Sequence, residues 1–175
     1  MLSLVRAVAS TEGNGSMERH RNNSSAHTRN LRKGRHSIPA QAYLLTTDTH
    51  LRKPMFMNFS YARCALLGMR YHDLRDDTRT LAGVVMPDHV HWLLYLTGRI
   101  SMDSLMRQYK GGVARRIHAI RGIRAQRLWQ AGYHDHAVRR EEDMEQLVRY
   151  VIANPLRAGM VEQVEDYPHW HAAWL

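Results

Sequence analysis

The residues most able to do chemistry are two histidines separated by a single valine, His89 and His91. On a β-strand, residues i and i+2 point to the same face, so the two imidazoles would lie side by side. Neutral imidazole nitrogens are common metal ligands, and this pair could supply half of a metal site. The spacing alone is not specific, and for any single pair a structural role is the better prediction. Two further pairs share it, His134/His136 and His169/His171.

The first pair differs from the others in its surroundings. It follows the turn residues Pro87-Asp88, and the apolar segments on either side, Leu81–Met86 and His89–Leu96, predict two strands of a hairpin. Polar imidazoles at half-buried sheet positions need partners. A bound cation would be one such partner.

A second constellation is a tyrosine and an asparagine four residues apart, Tyr150 and Asn154. Residues i and i+4 share one face of a helix, so a phenol and an amide would emerge together. With a metal nearby, the phenol could act as a nucleophile and the amide oxygen as a ligand. On these two residues alone, a core aromatic in an amphipathic helix is the preferred interpretation of Tyr150.

The elements that must position these residues follow a β-α-β-β-α-β-α order. This order predicts an α+β fold, a ferredoxin-like (split βαβ) sandwich with an antiparallel sheet and helices on one face. The predicted strands are Gln41–Thr47, Leu81–Met86, His89–Leu96 and Tyr133–Arg139. The predicted helices run from a cap at Asn58 or Ser60 to about Leu74, over Met102–Ile120 with Ser101 as the cap, and over Glu141–Ala153. Loop is predicted after the last helix.

The formal net charge is +9, which favours a polyanionic partner, nucleic acid before an acidic membrane. Residues 101–127 hold seven Lys and Arg against one acid, so the middle helix would present a cationic face to a DNA backbone. The candidate phosphate contacts are Arg107, Lys110, Arg115 and Arg116. Trp129, with Tyr109 and Tyr133, could stack on bases, although each of these aromatics is more often a core residue.

The rest of the composition indicates the cellular compartment and the domain organisation of the protein. The single cysteine, Cys64, permits no intrachain disulfide, and no run approaches the roughly 20 apolar residues of a membrane span. We therefore expect a cytoplasmic protein without a signal peptide. Residues 1–36 are polar and basic and lack aromatics, which predicts a disordered tail before one domain over residues 37–175.

Two segments, VVMPDHVHWLL and LWQAGYHDHAVRREEDMEQLVRYVIANPLRAGMV, resemble the REP-associated tyrosine transposases. These are a branch of the HUH single-tyrosine transposases, the insertion-sequence 200/605-like enzymes, and the resemblance covers about residues 36–175. It implies that His89 and His91 bind a divalent metal, Mg²⁺ or Mn²⁺, and that Tyr150 is the nucleophile. Asn154 would complete the metal site, where relatives often carry Gln.

The resemblance also implies a reaction, namely DNA transposition and recombination by a metal-dependent endonuclease. Tyr150 would attack a phosphate of single-stranded or hairpin DNA, giving a 5′-phosphotyrosine and a free 3′-OH that can later be rejoined. The protein would act on palindromic repeats such as REP elements, as a monomer or a homodimer.

Three other functions share parts of this residue pattern. A histidine-triad nucleotide hydrolase is discarded, because that chemistry wants a third histidine at position 93, which is Leu93. A non-catalytic DNA-binding regulator on the same fold stays open. A structural metal-binding protein also stays open, but it does not explain the basic helix.

Overall fold

The structure is a computed structural model that describes residues 41–123, 126–139 and 143–173. The prediction for residues 1–36 lies outside this part of the chain. The strands are β1 (Ala42–Asp48), β2 (Thr78–Val85), β3 (His89–Leu96), β4 (His134–Ala137) and β5 (Trp170–Ala172). The helices are α1 (Phe59–Leu74), α2 (Met102–Arg121), α3 (Met144–Ile152) and α4 (Asn154–Arg157).

The five strands form one antiparallel sheet in the order β4-β1-β3-β2-β5. The order of the first four strands is that of a split βαβ sandwich, so the predicted α+β, ferredoxin-like class is confirmed. Strand β5 and the short helix α4 were not predicted. Both are only three or four residues long and carry no clear periodicity.

Side chains alternate between the two faces of the sheet, and each face has its own core. On one face, Trp92 and Leu94 of β3 pack with buried residues of α1 and α2, among them Tyr109. On the other face, Leu93 packs with Val148 of α3. Helices therefore lie on both faces, and the prediction that they share one face is wrong. The cause is α3, which follows the four-strand unit and covers the face that such a sheet often leaves to solvent.

The helix ends follow the predicted capping residues. The side chain of Asn58 accepts a hydrogen bond from the Tyr61 N–H, and that of Ser101 accepts one from the Ser104 N–H. Helix α3 begins later than predicted, because the Asp143 carboxylate caps it by accepting from the N–H groups of Glu145 and Gln146. No helix within the described residues is long and apolar enough to cross a membrane.

We expect Gly68→Ala in α1 to lower the free energy of unfolding by about 1–3 kcal/mol, because overpacking strains a close helix contact. A Cβ on Gly68 would lie 2.8 Å from Tyr109 Cε2 and 3.0 Å from Val113 Cγ2. The matched control is Gly112→Ala in α2, where the nearest such atom is the end of the Arg116 side chain at 3.9 Å. This substitution should raise the free energy of unfolding by up to about 1 kcal/mol. Urea denaturation followed by circular dichroism measures both, and stabilisation by Gly68→Ala would contradict the packing described.

Candidate active site

The histidines of the first pair occupy neighbouring same-face positions of β3, as predicted. His89 Nε2 and His91 Nε2 are 3.2 Å apart, and the ring planes are nearly perpendicular. Both positions have the parity of Leu93, so the imidazoles lie on the sheet face that α3 covers. The side chain of His89 keeps 16% of its surface exposed. The pair is therefore half-buried and still reachable.

Each imidazole is held through its other nitrogen. His89 Nδ1 lies 2.6 Å from Asp88 Oδ1, and His91 Nδ1 lies 2.8 Å from Thr46 Oγ1. When each Nδ1 carries the proton and donates it to these oxygens, both Nε2 lone pairs are free. Two nitrogens that bind one cation at about 2 Å stand about 3 Å apart, and the Nε2 separation fits this geometry.

Burial lowers the pKa of His91 to about 4, and the neighbouring His89 is the next largest cause. Asp48 opposes this shift, whereas the positive charges of Arg157 and Arg52 add to it. His91 is therefore neutral at physiological pH, which is the state in which an imidazole binds a metal.

One arginine, Arg52, contacts both aspartates that lie beside the histidine pair. The Arg52 guanidinium forms an ion pair with Asp48 and another with Asp88, in which Nε lies 2.9 Å from Oδ2. Leu51 and Arg52 have φ values of 58° and 54°, a left-handed conformation that costs roughly 1–2 kcal/mol for each such residue. Thr49 Oγ1 braces this strained segment by donating to backbone carbonyls. The strained backbone thus places Arg52 where it holds Asp88, the hydrogen-bond partner of His89.

Tyr150 lies on α3 and is 44% exposed. The apolar side of α3 contributes Val148, Val151 and Ile152 to the core. The phenol is therefore not a core aromatic. Its ring contacts the guanidinium of Arg157, whose Cζ lies 4.3 Å from the ring centroid. Arg157 also lowers the pKa of His91, so the guanidinium that contacts Tyr150 is close enough to act on the imidazole pair.

Asn154 begins α4, and its side-chain Nδ2 donates to the carbonyls of Tyr150 and Val151, both at 3.0 Å. This caps the end of α3 and leaves Oδ1 as the atom that could bind a metal. Within the described residues, no group of three or more His, Cys, Asp and Glu side chains is arranged to hold a metal ion. Among the described residues, a further ligand beyond the imidazoles would be of another type, such as an amide oxygen.

The predicted phosphate contacts Arg107, Arg115 and Arg116 are exposed on α2. Together with Tyr71 of α1 they line a groove of about 460 Å³. Helices α1 and α2 cover the sheet face opposite to His89 and His91, so the structure does not bring these arginines to the histidine pair.

Trp129 and Lys110 have structural contacts. Trp129 is 6% exposed, its ring packs against Phe56, and its Nε1 donates to the Lys110 carbonyl. These contacts favour the core role of Trp129 over base stacking. Tyr109, at 1% exposure, is buried as well. Lys110 Nζ donates to the Gln130 carbonyl at 2.7 Å, an anchor for the chain that leads into β4.

The second histidine pair shares the sheet face of the first. In the sheet, His134 stands opposite Thr46 of β1, and Thr46 stands opposite His91 of β3. His134 and His136 are both exposed on the edge strand β4. This pair therefore lies on the same sheet face as the candidate site, with His134 next to Thr46.

The residues that sequence reasoning missed are Thr46, Asp48, Arg52 and Arg157. The first two stand opposite the histidines only because β1 pairs with β3 in this register. The left-handed turn that brings Arg52 to Asp88 carries no glycine to mark it. Arg157 was part of the RYVIANPLRAG segment, but the spacing gave it no separate role.

Comparison with known proteins assigns the chain that carries this site to a family. A family model described as "Transposase IS200 like" matches residues 48–154. A REP-associated tyrosine transposase of Escherichia coli (strain K12) is 34% identical over 88 residues, which are 50% of this chain and 50% of that protein. The chain thus spans about half the length of this curated relative.

The fold has a counterpart among solved structures, one described as "Structure of the REP associates tyrosine transposase bound to a REP hairpin". It is 24% identical with a TM-score of 0.60, over 78% of this chain and 79% of that one. The family model covers more than half of the chain and contains His89, His91, Tyr150 and Asn154. The chain belongs to the IS200-like transposase family.

Proposed function

We propose that this protein is a metal-dependent single-strand DNA endonuclease and strand transferase that works through a 5′-phosphotyrosine at Tyr150. The observation that carries the proposal is the imidazole pair, with Nε2 atoms 3.2 Å apart and each Nδ1 anchored. An exposed tyrosine stands on the helix that packs against the same sheet face. With both Nδ1 atoms protonated and anchored, the two Nε2 atoms face each other with lone pairs that a cation can bind.

A divalent cation would be held by His89, His91 and Asn154 Oδ1 with water and phosphate oxygens, and these oxygen ligands suit Mg²⁺ or Mn²⁺. When bound, the cation withdraws charge from the scissile phosphate and orients it. The protein supplies the orientation of the ligands: Asp88 and Thr46 fix the imidazoles, and Arg52 fixes Asp88.

The covalent step exchanges one ester for another. The Tyr150 oxygen forms a bond to phosphorus, and the bond from phosphorus to the 3′ oxygen breaks. The phenol proton passes to solvent, and the departing 3′ oxygen takes up a proton to become the 3′-OH. Because the number of ester bonds is unchanged, attack by a 3′-OH on the phosphotyrosine reverses the step and joins strands without ATP.

The proposed substrate is single-stranded DNA with a hairpin or palindromic repeat. Support comes from the net charge of +9 and from the solved relative, described as bound to a REP hairpin. Arg107, Arg115 and Arg116 would contact phosphates distant from the cleavage point, because their groove faces away from the histidines. A non-catalytic DNA-binding regulator is the alternative that the first experiment below distinguishes.

Tyr150→Phe should abolish the covalent protein–DNA adduct, because it removes only the attacking oxygen. The assay incubates the full chain with Mn²⁺ or Mg²⁺ and a labelled hairpin library and resolves adducts on denaturing gels. DNA affinity should stay unchanged, since the ring and its contact with Arg157 remain. Adduct formation by Tyr150→Phe refutes the nucleophile, and binding without any cleavage by the native chain favours the regulator.

Thr46→Val should weaken Mn²⁺ binding by about 10-fold or more, because His91 loses the partner that orients its ring. The matched control is Thr47→Val, one residue along β1 and on the opposite face. Thr47 is 2% exposed, and its hydroxyl has no hydrogen-bond partner among the described residues, so this variant should bind Mn²⁺ as tightly as the native chain. Calorimetric titration with Mn²⁺ measures both, and equal affinities would contradict the role given to Thr46.

Arg115→Ala should weaken DNA binding equally for different sequences, because a phosphate contact does not read bases. It should also reduce the slope of log affinity against log salt by about 0.7–0.9. The measurement uses fluorescence anisotropy at several salt concentrations in a Tyr150→Phe background, which keeps the DNA intact. Arg79→Ala is the control, since Arg79 is also exposed but pairs with Asp76. An unchanged slope for Arg115→Ala would show that Arg115 in the groove does not contact a DNA phosphate.

A further inference from the structure

Arg157 is the charged group in closest described contact with the Tyr150 ring. Its guanidinium carbon lies 4.3 Å from the ring centroid, a cation–π geometry. The two residues stand seven positions apart on one side of α3 and α4. The contact restrains the ring of the candidate nucleophile, although the phenol is nearly half exposed.

The same contact places the guanidinium next to the reacting atoms of the proposed step. The attacking oxygen belongs to the ring that Arg157 contacts. A phosphate in line with that oxygen would therefore lie close to the guanidinium, which is itself exposed on the surface.

The charge of Arg157 is not used elsewhere in the described part of the chain. No carboxylate of the described residues lies within ion-pair distance of its guanidinium. The other arginines near the site are paired: Arg52 with Asp48 and Asp88, and Arg149 with Glu145. A guanidinium held against an aromatic face keeps its N–H groups at the rim for an anion, and phosphate matches their geometry.

We propose that Arg157 is a further catalytic residue, whose guanidinium holds the Tyr150 ring and binds a non-bridging oxygen of the scissile phosphate. This inference rests on the proposed function. Arg157 forms and breaks no covalent bond. It neutralises charge on the phosphate while the Tyr150 oxygen adds and the 3′ oxygen leaves, and it presents the phenol to the phosphorus.

The test measures the single-turnover rate of adduct formation at saturating Mn²⁺ and hairpin DNA, using the full chain. Arg157→Ala and Arg157→Gln should each slow the adduct by about 100-fold or more, as for loss of one transition-state donor. Arg157→Lys should recover part of the rate, and free guanidinium ion should rescue Arg157→Ala. Arg149→Ala is the matched control, an exposed arginine on α3 with its own acid partner, and should stay within about twofold of the native rate.

A second substrate separates chemistry from packing. A methylphosphonate at the cleaved position lacks one anionic oxygen, so the native chain and Arg157→Gln should differ far less on it than on phosphate. An equally large difference on both substrates, with no guanidinium rescue, would show that Arg157 only supports the fold, and thermal unfolding of each variant checks this directly. If Tyr150→Phe is inert while Arg157→Ala reacts at the native rate, this inference fails and the proposed function stands. If Tyr150→Phe still forms the adduct, the proposed function fails.

Discussion

The site depends on the pairing of β1 with β3. In this register Asp48 stands opposite His89, and Thr46 stands opposite His91, on the sheet face beneath α3. A slip of one residue would turn Thr46 to the other face and leave His91 Nδ1 without its partner. The buried alternation of both strands fixes the register, because Leu45 and Trp92 must enter one core while Leu93 enters the other. The same apolar packing that stabilises the sheet therefore orients the imidazoles.

The two faces of the sheet carry different groups. The face under α1 and α2 carries the larger core and, outside it, the cationic groove. The face under α3 carries the imidazole pair, the exposed phenol and the guanidinium of Arg157. A DNA strand that reaches both surfaces must pass around an edge of the sheet. The edge strand β4, with the exposed His134 and His136, lies on the side of β1 away from β3.

Much of this arrangement could be predicted from the sequence because it follows from local periodicity. The period of two in β3 places His89 and His91 together, and the caps Asn58 and Ser101 mark two helices. The assignment of Tyr150, Asn154 and the metal depended on resemblance to a family, since spacing alone preferred a core tyrosine.

The features that escaped prediction depend on tertiary contacts. Tryptophan is a residue type that often stacks on bases, but the β-bridge between Thr49 and Trp129 holds this one in the core. Arg52 reaches Asp88 through a left-handed turn without glycine, and Arg157 meets Tyr150 across the break between α3 and α4. The covering of the second sheet face by α3 follows from where its apolar residues pack, which the element order does not determine.

In the proposed function, one cation lies between the two Nε2 atoms, on the side of the sheet that carries Tyr150. Anomalous diffraction from crystals grown with Mn²⁺ would locate it. We expect a single strong peak about 2 Å from both Nε2 atoms, with Asn154 and the phenol of Tyr150 around it. A Mn²⁺ peak elsewhere on the protein, with His89 and His91 still in contact with each other, would rule this site out.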